Sequence, residues 1–309
     1  MRVRTTALAA ISSVLAALAQ VPEESSAPAG PPPKPVMVYA GKPVTVPFAC
    51  SEEDMQWAGM SCTQDEPCPI YLELTAMESV GSNLVVSGNL HSAATTLYSV
   101  LLMSPDSGKT WTEPVERVRG AGLDQIQFID FESGWISGQL LHPLPQDPFL
   151  LITADGGKTW RRQPVFGETR FASVAQFWFT SKNDGAIVVD RGQSSETSRY
   201  EKYETPNGGD TWMIRETNDQ LIRLRRTPPN ADWRIRADGP SQSFRIERRQ
   251  GSGWTVVSAF AIRAGECKPP EPTFAEPPPE PVEHPPEPEQ PPVSEPPRGP
   301  RKPPTLKKP

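Results

Sequence analysis

One eight-residue phrase constrains this chain more than any other feature. It reads "SPDSGKTW" at 104–111, "TADGGKTW" at 153–160 and "TPNGGDTW" at 205–212, and a worn copy, "RRQGSGWT", ends at Thr255. Its tryptophans, Trp111, Trp160, Trp212 and Trp254, recur at about the 40–50-residue period of blade-type repeats. A chain that returns to one turn at that interval must stack like units, because a single unit cannot bury its own apolar face.

The filling between turns repeats too. "LELTAME" (72–78), "IQFIDFE" (126–132), "AQFWFTS" (175–181) and "LIRLRRT" (221–227) open the units. "NLVVSGNL", "GWISGQLL", "GAIVVDRG" and "DWRIRADG" follow, then "LYSVLLMS", "FLLITA", "YEKYET" and "SFRIERR" run into the turns. Each unit reads as four short antiparallel strands punctuated by Gly, Asn, Asp, Ser and Pro. No helical periodicity is visible in the body. The expected fold is all-β, a small β-propeller of four or five four-stranded antiparallel blades. The stretch "VMVYAGKPVTVPF" (36–48) is expected either to begin an extra blade or to close the ring.

Within the phrase the residue types fit a tight hairpin turn between the third and fourth strands. Gly108, Gly157 and Gly209 supply positive φ without a Cβ clash. Asp106, Asp155 and Asn207 can accept backbone N–H groups two residues on. Thr110, Thr159 and Thr211 can add a hydroxyl bond to the same side chain, and Trp111, Trp160 and Trp212 can pack between sheets. One copy carries Asn207, which cannot serve as a carboxylate catalyst. The acidic position is therefore turn chemistry.

The ends of the chain differ from the body. Arg2 and Arg4 precede an alanine-rich apolar run that closes on Ala17-Leu18-Ala19, which reads as a signal peptide over 1–19. A Pro-rich linker covers 20–35, the propeller 36–267, and a Pro/Glu/Lys-rich tail at 268–309 is expected to stay disordered. The chain should be exported, periplasmic or secreted, with no transmembrane segment after cleavage. The formal net charge is −6, and the one basic stretch, around Arg223–Arg236, is broken by Asp and Pro. Nucleic acid is not expected as a partner.

The phrase S/T-x-D-x-G-x-T-W resembles the Asp-box, or bacterial neuraminidase repeat. The wording "GWISG…TADGGKTW" is most similar to the photosystem II assembly-factor-like and sortilin-type non-catalytic propellers. That resemblance implies a binding or assembly module, with an unidentified envelope protein or glycan as partner and no cofactor. A glycan hydrolase of sialidase-like fold is the first alternative. It is disfavoured because the sialidase Arg-Ile-Pro motif is absent and no arginine lies between Val36 and Ser104. A structural envelope protein acting through its Pro-rich tail is the second.

Loops opposite the repeated turns are the expected ligand face: 89–96, 139–148, 191–199 and 116–125. They carry the candidate binding residues His91, Arg117, Arg119, Asp124, His142 and Asp147. The cysteines lack metal-site spacing, and no metal is expected. The acidic run Glu52-Glu53-Asp54 is expected to be solvated loop charge. Cys50, Cys62, Cys68 and Cys267 are expected to form disulfides in an exported chain. Cys50–Cys267 with Cys62–Cys68 would close a ring, and Cys50–Cys62 with Cys68–Cys267 is the competing pairing.

Overall fold

The computed structural model describes residues 35–192, 198–225 and 231–270. The expected signal peptide, nearly all of the linker and the tail beyond Pro270 lie outside the described residues. So do residues 193–197 of the third loop.

The described chain is nearly all β. An N-terminal segment carries β1 (Met37–Val38) and a short helix α1 (Glu52–Trp57). The first unit holds β2 (Cys68–Val80), β3 (Asn83–His91), β4 (Thr96–Ser104) and β5 (Thr110–Trp111). The second holds β6 (Ala121–Phe128), β7 (Gly134–Leu140), β8 (Gln146–Thr153) and β9 (Arg161–Pro164). The third holds β10 (Ser173–Phe179), β11 (Gly185–Asp190), β12 (Tyr200–Thr205) and β13 (Met213–Asn218). The fourth holds β14 (Trp233–Asp238), β15 (Ser243–Gln250) and β16 (Gly253–Ala261), and β17 (Arg263–Cys267) follows.

The strands β2–β4, β6–β9, β10–β13 and β14–β16 each form an antiparallel sheet in sequence order, and this run of sheets is consistent with a propeller. The two ends of the fold cross over. β17 pairs with the start of β2, so that Cys267 lies opposite Cys68. β1 pairs with β5, and Val44 bridges Phe260 of β16 in parallel. The stretch 36–48 therefore borders the first and fourth sheets at once.

Three buried apolar clusters hold the sheets together. Val85, Leu101 and Met103 meet Leu123, Ile136 and Phe149 between the first and second sheets. Trp135 and Leu150 meet Val174, Phe177 and Phe179 between the second and third, with Trp135 stacked on Phe179 at 4.0 Å. The largest cluster joins Val46, Leu72, Leu84 and Trp111 to Ile246 and Phe260 of the fourth sheet. The alternation along β3 and β4 explains this order, since successive side chains must face opposite neighbours. Among the described residues, no such cluster joins the third sheet to the fourth.

Two expectations need correction. Glu52–Trp57 is a helix, started by a capping box in which Ser51 and Asp54 bond each other's backbone N–H. So short a helix leaves no periodic signal. Residues 221–225 of the expected strand "LIRLRRT" form no strand, and residues 226 and 227 lie outside the described residues.

Candidate functional site

The repeated turns share one bonding pattern. Asp106 accepts from the Thr110 N–H at 2.9 Å and the Thr110 hydroxyl at 2.8 Å, and Asp155 accepts from Thr159 in the same way. Asn207 Oδ1 accepts from the Thr211 N–H, while its Nδ2 donates to the Thr211 hydroxyl. Each turn also donates a backbone N–H to the turn between the first two strands of its sheet: Ser107 to Ser82 O, Gly156 to Glu132 O, Gly208 to Asn183 O. The two kinds of turn thus occupy one side, and the loops between second and third strands are left on the other.

Two of the sequence-predicted binding residues are tied to other work. Arg117 is paired with Glu113 and donates to Pro47 O at 2.8 Å. Arg119 reaches Glu53 at 2.6 Å and Asp54 at 3.1 Å. Asp54 is buried, 3% exposed, and the Tyr98 hydroxyl also donates to it. Burial alone would raise the Asp54 pKa. Bonds from Tyr98 and Ser51 and the Arg119 charge outweigh it and hold the carboxyl below its ordinary value. The acidic run is therefore not all solvated loop charge; its third member anchors α1 to the first sheet.

The two histidines do not pair with each other. His91 holds the Ser92 carbonyl oxygen through Nδ1 at 2.8 Å and lies 5.8 Å from the Tyr71 ring. His142 packs its ring 4.9 Å from Trp57. Among the described residues, no group of three His, Cys, Asp or Glu side chains is placed to hold a metal ion.

Asp124 lies in β6 rather than in a loop. It is the bulged residue of that strand, between Leu123 and Gln125, as Thr75 is in β2 and Ala175 in β10. Gly122 and Asp124 give this stretch the look of a loop in sequence; a bulge accommodates both. Burial raises the Asp124 pKa, a bond from Gln139 Nε2 partly offsets this, and the Glu73 charge raises it further.

Asp147 adopts φ +49° and exchanges bonds with Arg170: its carboxylate accepts the Arg170 N–H, and its own N–H donates to Arg170 O. That exchange fixes the loop beside an open pocket of about 520 Å³ lined by Leu144, Pro145, Phe171, Ala172 and Arg191. Leu144 is 59% exposed and Phe171 58%. Nε and Nη1 of Arg191 are buried without hydrogen-bond partners among the described residues. Sequence reasoning groups the loops that carry Leu144 and Arg191 but does not single out these residues. An apolar side chain left in water has no periodic signature.

No protein-family model matches this chain, and no curated protein matches it. Among the solved structures similar in part to this chain are three. YCF48 bound to D1 peptide is 17% identical with a TM-score of 0.37, over 62% of this chain and 56% of that one. YCF48 from Cyanidioschyzon merolae is 20% identical with a TM-score of 0.33, over 62% and 57%. The alpha-L-arabinofuranosidase Arb93A from Fusarium graminearum, in complex with an iminosugar inhibitor, is 13% identical with a TM-score of 0.34, over 72% and 65%. The chain spans little more than half the length of the two YCF48 structures it matches.

Proposed function

We propose that this chain is an exported, non-catalytic Asp-box propeller of four units that binds a partner protein in the cell envelope. Its loop face, opposite the repeated turns, makes the contact. The observation that carries this reading is the exposed pair Leu144 and Phe171 beside the under-bonded guanidinium of Arg191. Large apolar side chains left in water around a concave site fit a protein contact better than a solvated loop does. Residues 1–19 are read as the exporting signal and 268–309 as a tail outside the propeller.

Affinity capture from envelope extract with the wild type and the Leu144→Ser/Phe171→Ser variant tests it. Both side chains are exposed, so the variant should keep its melting temperature and lose the captured partner. Unchanged capture by the variant would overturn the assignment.

One observation favours glycan hydrolysis as a second reading. Asp124 keeps its proton to higher pH than an ordinary carboxyl and lies within reach of the Glu73 charge, as a general acid would need. Release of sugar from a glycoside panel, abolished by Asp124→Asn, would establish it.

A further inference from the structure

Among the described residues, the fourth sheet lacks its inner strand. The second and third sheets run through four strands, whereas the fourth has three in the order β14-β15-β16. Residues 221–225 should supply the missing one by the repeat. Instead Leu224 donates its N–H to Gln176 Oε1 of the third sheet at 3.0 Å. Gln125, one residue past its own bulge just as Gln176 is, reaches Ala175 O of the next unit. The segment thus keeps the inner-strand contact with the preceding sheet while leaving its own. A cavity of about 480 Å³ stays open beside it, bordered by Trp178, Ala186, Glu204 and Leu224.

The consequence for β14 follows from its hydrogen-bond phase. Trp233 lies opposite Arg248, and the Arg249 N–H donates to Asp232 O at 2.7 Å. In an antiparallel ladder bonded pairs alternate with non-bonded ones. The N–H and C=O groups of Arg234, Arg236 and Asp238 therefore face β15. Those of Trp233, Ile235 and Ala237 face outward, where no strand pairs with them among the described residues. Such a row is a template for strand addition.

We propose that this edge takes up an extended acidic segment of a partner protein as the fourth strand of the sheet. The proposal rests on the reading of the chain as a binding module and names the partner's chemistry. Charge decides for acid. Arg236 lies directly opposite Arg245, and like charges across a ladder repel. Asp238 answers Arg245 at 2.7 Å, which leaves the Arg236 charge in excess. Arg223 and Arg225 border the cavity on the third sheet's side, with no ion pair among the described residues. Trp233 and Ile235 pack against the buried cluster that joins the first and fourth sheets. The chain's own acidic stretch, 271–295, has proline at nearly every second or third position. Each proline lacks the N–H that a ladder needs, so a partner strand fits better.

The test measures amide exchange in the full chain with an acetylated, amidated heptapeptide alternating Glu and Val. The N–H groups of Trp233, Ile235 and Ala237 should exchange fast in the free chain and slow about tenfold or more on saturation. Those of Arg234 and Arg236 should be slow throughout. Ala237→Pro removes one outward N–H and leaves the β15 ladder intact. It should keep the melting temperature and weaken peptide binding about tenfold, the worth of one hydrogen bond.

Slow exchange at all three amides in the free chain would mean that the edge is already covered, and would overturn the proposal. Equal binding of a peptide with Lys for Glu, or of one N-methylated at alternate residues, would overturn it as well. If Leu144 and Phe171 are needed for capture while these amides stay fast with the peptide, the proposal fails alone and the binding-module reading stands.

Discussion

Cys50 is bonded to Cys267 across 217 residues, and Cys62 to Cys68 across 6. The long bridge ties the segment before α1 to β17, where the first and fourth sheets share their buried cluster. In the chain-entropy account a loop of that size stabilises by about 5 kcal/mol, and a short one by less. Cys267→Ser should therefore lower stability by roughly twice the loss from Cys62→Ser. Urea unfolding of the two variants measures this; similar losses would contradict it.

Trp111 should be the most costly of the repeat tryptophans to remove. It is fully buried, donates from Nε1 to Gly108 O and Ser258 Oγ, and meets Phe260 edge-on at 5.2 Å. It thus links the first sheet to the fourth. Trp111→Ala is expected to cost about 3–5 kcal/mol. Trp160 is only half-buried, and Trp160→Ala should cost clearly less. Thermal melts of both variants check the ranking.

The repeat makes the order of strands legible, because a period of fixed length dictates stacked units whatever their surface. "NLVVSGNL" and "SFRIERR" become β3 and β15, and the turns fall where Asp106 and Asp155 put them. What stays hidden is set by contacts across units. The helix at Glu52–Trp57 exists because Asp54 finds Tyr98 and Arg119, 44 and 65 residues away. The bulge at Asp124 and the unpaired segment 221–225 are likewise decided by neighbouring sheets. Of the expected site, Arg119 finds its carboxylates, Glu53 and Asp54, and Arg117 finds the Pro47 carbonyl only when the folded chain brings these distant residues to them.

Asp54→Ala should destabilise more than its short helix suggests. The substitution leaves Arg119 with the exposed Glu53 as its one carboxylate partner, beside the Tyr98 hydroxyl, and strips that hydroxyl of its acceptor. Breaking a largely buried pair costs about 3 kcal/mol or more when its partner is left in place. Arg119 is 33% exposed, so solvent screening lowers the loss below that of a fully buried pair. A double-mutant cycle with Arg119→Ala should show strong coupling; additive losses would mean that the pair does not act as a unit.

The turn aspartates give the chain an acid-sensitive component. Asp155 is held at about 2 by the Thr159 hydroxyl and N–H, which favour its charged form. Its unfolded value is near 3.8, so the folded pKa is depressed. A depressed carboxyl stabilises the fold above its unfolded pKa, and that contribution is lost as pH falls through the folded value. Asn207 shows that an amide can hold the same turn without titrating. Asp155→Asn should therefore be only slightly less stable than wild type near neutral pH, and the gap should close between about pH 4 and pH 2. Asp130, also held at about 2, titrates in both proteins and cancels in the difference. Melting curves of the two proteins across that range decide it: a gap independent of pH would mean that Asp155 does not titrate with folding.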